Sequence, residues 1–202
     1  MSYLNFDKTL LINLERSLSK EMIRTNRAGA YNSTTLIDCN TRKYHGQLVL
    51  PLSGELPEDN YVLLGSLDET VIQHGAEFNL GLHKYGWNNF SPNGHKYIRE
   101  FDCEVISETT YRVGGVILTK GRMLVSFEPR VLIRYTLAEA HVERYIQRDF
   151  TDLMFSFGCT GGQHRSVYSA EHIARHVAEK FGVRVVVTHK MQGVHYVIES
   201  AG

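Results

Sequence analysis

Up to about residue 141 the chain is a succession of short apolar runs broken by Gly, Asn, Asp and Pro, the grammar of an antiparallel β domain. These runs predict strands over residues 47–50, 61–64, 70–73, 97–103, 116–119, 123–127 and 131–137. Lys120 and Gly121 lie between two of them and predict a tight hairpin, because glycine accepts the positive φ that such turns require. Near the start, Leu10, Leu14, Leu18 and Met22 recur every four residues and fit the stripe of a helix. Residues 84–96 contain Gly86, Asn88, Asn89, Pro92, Asn93 and Gly94, too many turn formers for regular structure. Their aromatics Tyr85, Trp87 and Phe90 are therefore expected on a loop, one that either faces carbohydrate or packs as an Ω-loop.

After His141 the pattern changes. A continuous apolar run over 153–157 leads into a glycine-rich stretch over 158–166, and a helical period follows. Val167, Ala170, Ile173, Ala174, Val177, Ala178 and Phe181 form one apolar stripe, and Gly182 is placed to end the helix. Residues 183–188 then read as a second buried strand. A β-loop-α-β unit of this kind predicts two parallel strands joined by a right-handed crossover. The fold class expected for the whole chain is α+β: an incomplete antiparallel β-sandwich over residues 1–141, followed by a small β-loop-α-β phosphate-binding unit over 142–202.

Composition narrows the function classes. Lys and Arg number 22 against 22 Asp and Glu, so no global field attracts nucleic acid or acidic lipid, and a polyanion must be bound locally. The 3 cysteines, Cys39, Cys103 and Cys159, lie far apart without C-x-x-C spacing, which fits a reducing cytoplasm and no zinc site. The cluster Leu10-Leu11-Ile12 is too short and too interrupted by charge for a membrane span or signal region, so the expectation is a cytoplasmic protein with no membrane partner. His172 and His176 are spaced for a metal but lack the Glu of H-E-x-x-H, and are expected on a solvated helix face. No metal and no cofactor are expected.

The chemistry concentrates at Gly158-Cys159-Thr160-Gly161-Gly162-Gln163-His164-Arg165-Ser166, where a strand ends and a helix begins. Glycines let successive N–H groups turn into one concavity, and the helix N-terminus adds partial positive charge. Arg165 supplies a fork for phosphate oxygens, Thr160 and Ser166 add hydroxyls, and His164 donates from both ring nitrogens when protonated. The candidate phosphate-binding residues are Gly158, Cys159, Thr160, Gly161, Gly162, His164, Arg165, Ser166 and His189.

Residues 145–195, through this string, Tyr168, Ala170-Glu171 and His189-Lys190, resemble the C-terminal domain of the RNase adapter proteins of the RapZ family. The resemblance implies binding of phosphate or an amino-sugar phosphate at the loop, together with RNA binding and oligomerisation. Cys159 and Arg165 are also spaced as C-x-x-G-x-x-R-S, similar to the loop of cysteine-dependent phosphatases. There the thiolate attacks phosphorus and the arginine holds the equatorial oxygens, so Cys159 and Arg165 are the alternative catalytic pair.

Over residues 2–141, the strings Thr25-Asn26-Arg27-Ala28-Gly29-Ala30-Tyr31, Asn40-Thr41-Arg42-Lys43-Tyr44-His45-Gly46 and Leu67-Asp68-Glu69-Thr70 resemble the N-terminal domain of bacterial glycogen debranching enzymes of the amylo-α-1,6-glucosidase type. In that family a β-sandwich lies against a helical barrel that supplies the catalytic acid and base. No barrel sequence follows here, so glycoside hydrolysis by this chain alone is not expected. Asp68-Glu69 reads as a turn between strands. Arg42, Tyr44 and His45 are candidates for glucan contact, or equally for an internal network bracing the sandwich. The expected function is a phosphate- or phosphosugar-binding module joined to a non-catalytic debranching-type fragment, with a cysteine phosphatase and a glucan-binding accessory fragment as alternatives. Residues 131–137 are expected to be an exposed strand edge open to self-association.

Overall fold

The computed structural model describes residues 4–52, 59–73, 75–137, 153–159, 163–190 and 192–199. It is a β-rich α+β architecture whose paired strands are antiparallel throughout the described residues. A five-stranded sheet runs in the order β1 (Asn5–Asp7), β10 (Ile98–Cys103), β11 (Ser107–Val113), β12 (Val116–Leu124) and β13 (Val131–Leu137). A four-stranded sheet holds β2 (Glu21–Thr25), β3 (Tyr31–Thr35), β4 (Gly46–Leu52) and β5 (Asp59–Leu64). A third sheet has the order β14 (Leu153–Cys159), β6 (Leu67–Gln73), β7 (Ala76–Asn79). Two hairpins complete the set: β8 (His83–Tyr85) with β9 (Asn89–Ser91), and β15 (Val185–His189) with β16 (Val194–Ile198).

Leu11, Leu36, Val71, Phe101, Tyr111 and Leu118 are buried in one cluster, and Ala30, Leu48 and Leu64 form a second. The early apolar stripe does face the first of these, but not from one helix. Asp7 accepts from the N–H of Thr9 at 2.9 Å and starts α1 (Lys8–Leu11), and Asn13 accepts from that of Arg16 at 3.0 Å and starts α2 (Leu14–Leu18). A second N-cap inside the stripe breaks it, since a capping residue takes non-helical φ and ψ. Met22 falls in β2.

Several local expectations are corrected. Lys120 and Gly121 form no hairpin; both lie inside β12, which runs unbroken from Val116 to Leu124. The turn into β12 is made instead at Gly114, with φ +56°. Asp68 and Glu69 are strand residues of β6, not a turn. Residues 84–96 contain the β8–β9 hairpin, turning at Gly86 with φ +72°, and a 3-10 turn at Gly94–Tyr97. β11 carries no apolar alternation in its sequence, because its inward positions include the polar Ser107 and Thr109.

The second half keeps its expected order of elements, but not its pairing. The long helix α3 (Gln163–Phe181) ends at Gly182, whose φ of +64° suits a C-terminal glycine. Ala174 and Ala178 of the apolar stripe are buried, while His172 and His176 are exposed. β14 and β15 do not form a parallel pair: β14 pairs antiparallel with β6 from Leu153↔Gln73 to Cys159↔Leu67, and β15 pairs with β16. The helix packs against both β14 and β15 without bringing them into one ladder. β14, beyond the expected boundary at 141, thus extends a sheet whose other strands precede it. β13 lies at the end of its sheet, as expected for an edge.

Candidate functional site

The strand-to-helix corner is present. β14 ends at Cys159 and α3 begins at Gln163, so Gly158 and Cys159 lie on the strand and His164, Arg165 and Ser166 in the first helical turn. Thr160, Gly161 and Gly162 lie outside the described residues. The 19-residue helix has its N-terminus, the positive end of its dipole, at Gln163.

His189 is placed elsewhere. Its Nε2 lies 3.1 Å from Glu171 Oε1, the same oxygen accepts from the Tyr196 hydroxyl, and Arg175 donates to Oε2 at 3.3 Å. Hydrogen bonds from Tyr196 and then His189 hold the Glu171 carboxyl below its ordinary range. Glu171 lies two turns along α3, roughly 12 Å from its first residue at the helical rise. The imidazole therefore fastens the β15–β16 hairpin to the helix.

The Arg42-Tyr44-His45 string divides in the same way. The Arg42 Nε donates to Glu21 Oε1 at 2.7 Å from an exposed position, and Lys43 lies over the Tyr44 ring at 4.7 Å. His45 is buried, its Nδ1 accepting from the N–H of Thr41 at 3.1 Å and its Nε2 3.8 Å from Glu21 Oε2. These contacts are those of a brace between β2 and the turn before β4. Burial, with the Arg42 charge adding to it, holds the His45 imidazole below its ordinary value of 6.5, and burial beside Lys96 does the same for His95.

That shift has a sign that can be measured. A histidine whose folded-state pKa is lowered takes up its proton first in the unfolded chain, so its contribution is complete above pH 6.5 and is lost as pH falls through the folded value. Stability is expected to decline from about pH 6.5 downward. Denaturant titrations at pH 7.5 and 5.0 should show the loss, and His45→Gln should flatten it; equal stability at both values would contradict buried neutral imidazoles.

The most densely built polar cluster was not legible as such. Lys120 Nζ lies 2.9 Å from Glu69 Oε1 and 3.3 Å from Asp38 Oδ2, and Arg122 pairs with Asp38 through Nη1 and donates to Thr109 Oγ1 at 3.1 Å through Nη2. Tyr135 donates its hydroxyl to Glu69 Oε1 at 2.5 Å. Two buried cations thus meet two carboxylates. Burial alone would raise the Asp38 carboxyl, but Arg122 and Lys120 outweigh it and hold it below 3.8. Burial, followed by the Glu69 charge, pushes the Tyr135 phenol far above its ordinary range. The signal was present: Val116, Leu118, Lys120 and Arg122 share one strand face, so two cations on an apolar face demand buried anions.

Beside this cluster, on the opposite face of β6, Asp68 Oδ1 lies 2.7 Å from His83 Nε2. Among the described residues no group of three or more His, Cys, Asp and Glu could hold a metal, and no helix is long and apolar enough to cross a membrane.

Comparison with known proteins settles the family. The profile described as glycogen debranching enzyme N terminal matches residues 20–200. The chain belongs to that family. The match to this debranching family runs past residue 141, where the resemblance was expected to end, and takes in the glycine string. Curated relatives carry a different name. A nucleotide-binding protein of Xylella fastidiosa strain M12 is 26% identical over 130 residues, covering 60% of this chain and 44% of that protein. Another, from strain 9a5c, is 57% identical over 130 residues with the same coverage. A nucleotide-binding protein of Azoarcus sp. strain BH72 is 50% identical over 46 residues, 23% of this chain and 15% of its own length. The debranching-family chain spans less than half the length of these relatives. Both resemblances read from the sequence are borne out. No solved structure matches.

Proposed function

We propose that this chain binds a phosphorylated ligand at the corner between β14 and α3, through a phosphate-binding unit at residues 142–202 that follows an incomplete debranching-type sandwich at 1–141. The observation that supports the reading is the change from strand at Cys159 to helix at Gln163, with Arg165 in the first turn. Such a corner combines converging backbone N–H groups, a helix dipole and a guanidinium, three features that each favour a phosphate dianion. The nucleotide-binding relatives support the same ligand chemistry. With His189 committed to Glu171, Arg165 carries the side-chain share of the affinity.

Calorimetry of the full chain with inorganic phosphate tests this. Arg165→Ala is expected to weaken binding by at least about tenfold, the scale of one charge-assisted hydrogen bond. Cys159→Ser should leave the affinity nearly unchanged, because the proposed binding rests on backbone amides and Arg165, not on the thiol. Equal affinity of wild type and Arg165→Ala would overturn the reading, and hydrolysis of an aryl phosphate that Cys159→Ser abolishes would replace binding with phosphatase chemistry.

A further inference from the structure

We infer that the chain pairs with a second copy of itself through the free edge of β2, in a two-fold antiparallel register centred on Ile23. β2 is the end strand of its sheet, with β3 on one side only. Flanking it, the N–H of Leu36 donates to the carbonyl of Lys20 at 3.1 Å and the N–H of Asn26 to that of Ala30 at 3.0 Å. Hydrogen-bonding direction alternates along a strand, so Met22 and Arg24 also bond toward β3, opposite Thr34 and Asn32. Glu21, Ile23 and Thr25 therefore turn their N–H and C=O groups away from β3, and no strand among the described residues pairs with them on that side.

Sheet edges are ordinarily guarded by proline, a bulge or free charges. β2 has no proline, and its register with β3 runs unshifted from Glu21↔Thr35 to Thr25↔Tyr31. Both of its charged residues are engaged: Glu21 is paired with Arg42, and Arg24 turns inward, its Nη2 donating to Cys103 Sγ at 2.9 Å. Between them Ile23 is 64% exposed at the centre of the edge. A groove of about 850 Å³, lined by Leu4, Phe6, Cys103 and Val105 together with β2 itself, runs beside the strand and leaves room for another chain.

A second β2 is matched to this edge. Two antiparallel copies centred on Ile23 set Ile23 opposite Ile23, Glu21 opposite Thr25 and Met22 opposite Arg24. The outward groups at 21, 23 and 25 then meet those at 25, 23 and 21, so every outward N–H finds a carbonyl. No like charges lie opposite one another, the arrangement that would penalise pairing. Sliding one copy by two residues sets Arg24 opposite Arg24 in one direction and leaves Thr25 beyond the partner's strand in the other. The two-fold axis stands perpendicular to the sheet, which keeps both grooves, with their exposed Leu4 and Val105, on the same face of the joined sheet.

The experiment is sedimentation velocity of the full chain from about 1 to about 500 μM, with amide hydrogen exchange followed by NMR at about 20 and about 500 μM. The wild type is expected to pass from monomer toward dimer over this range. At the higher concentration the Glu21, Ile23 and Thr25 amides should exchange at least about threefold more slowly, while those of Met22 and Arg24, already bonded to β3, change little. Ile23→Lys sets two like charges opposite each other, and Ile23→Pro removes an N–H that β3 does not use. Each is expected to weaken the dimer at least about tenfold, with thermal unfolding of the dilute protein checking that the variant is folded. A chain that stays monomeric throughout overturns the inference. So does a dimer that folded Ile23→Lys forms equally well, or one that leaves the Glu21, Ile23 and Thr25 amides unprotected, since association would then use another surface.

Discussion

Lys120→Met is expected to cost about 3–5 kcal/mol of folding stability, measured as a drop in the denaturant midpoint. The side chain is almost completely buried, and removing its ammonium leaves the Glu69 and Asp38 carboxylates facing a single cation, Arg122. An uncompensated charge in the interior is far more costly than a missing contact, because nothing nearby can reorganise to solvate it. Against a total of about 5–15 kcal/mol for an ordinary domain, the loss is a large fraction of what holds the fold. The double variant Lys120→Met with Glu69→Gln removes one charge of each sign and should recover a substantial part of the loss. The effect should also change little between low and high salt, since ions do not reach the pair. A single-variant cost below about 1 kcal/mol would mean that the cluster is solvated like a surface pair.

Gly94→Ala is expected to be the most damaging of the glycine substitutions, at about 3 kcal/mol, the upper part of the range for overpacking. Its N–H donates to the carbonyl of Gly81 at 3.0 Å, and a Cβ would collide with the Leu80 carbonyl and approach the Gly81 oxygen to 2.6 Å. All of those are backbone atoms, with no rotamer to move aside. Gly86→Ala offers the contrast: nothing lies within 4 Å of its Cβ, and only the φ of +72° resists, which is worth about 1 kcal/mol. Comparing thermal midpoints of the two variants separates crowding from conformation. Equal losses would show that the contact between the 3-10 turn and the end of β7 is not tight. Because Leu80 and Gly81 lead into His83, Gly94→Ala should also weaken the Asp68–His83 pair.

What was legible in the sequence follows a physical division. The helix α3 could be read because its apolar period and its terminal glycine are local signals, and β13 could be read as a strand from the apolar run at residues 131–137. Pairing partners are not local. A strand such as β14 displays apolar residues to whatever covers it, and nothing in residues 153–159 names β6 instead of β15 as neighbour. Lys120-Gly121 misled because glycine is a turn former in isolation, whereas here it lies opposite Glu108 within a continuous ladder. His189 illustrates the same limit in a side chain. The family resemblance implies an anion ligand at this position, and the carboxylate bonded to the imidazole comes from the helix, where Glu171 reads simply as a solvated residue.

The pairing of β14 with β6 also sets an order of events during synthesis. Residues 67–73 leave the ribosome long before residues 153–159 exist, and closing so long a loop has an entropic cost that only the completed ladder offsets. Until then one flank of β6 is an open edge while Glu69 on its inner face is already drawn toward Lys120. Since long-range pairings of this kind form late, the nascent chain passes through a stage in which the charge cluster can assemble before β14 has reached β6. Conditions that slow elongation after residue 73 would prolong that stage, and with it the interval in which the edge of β6 is available to any other extended chain.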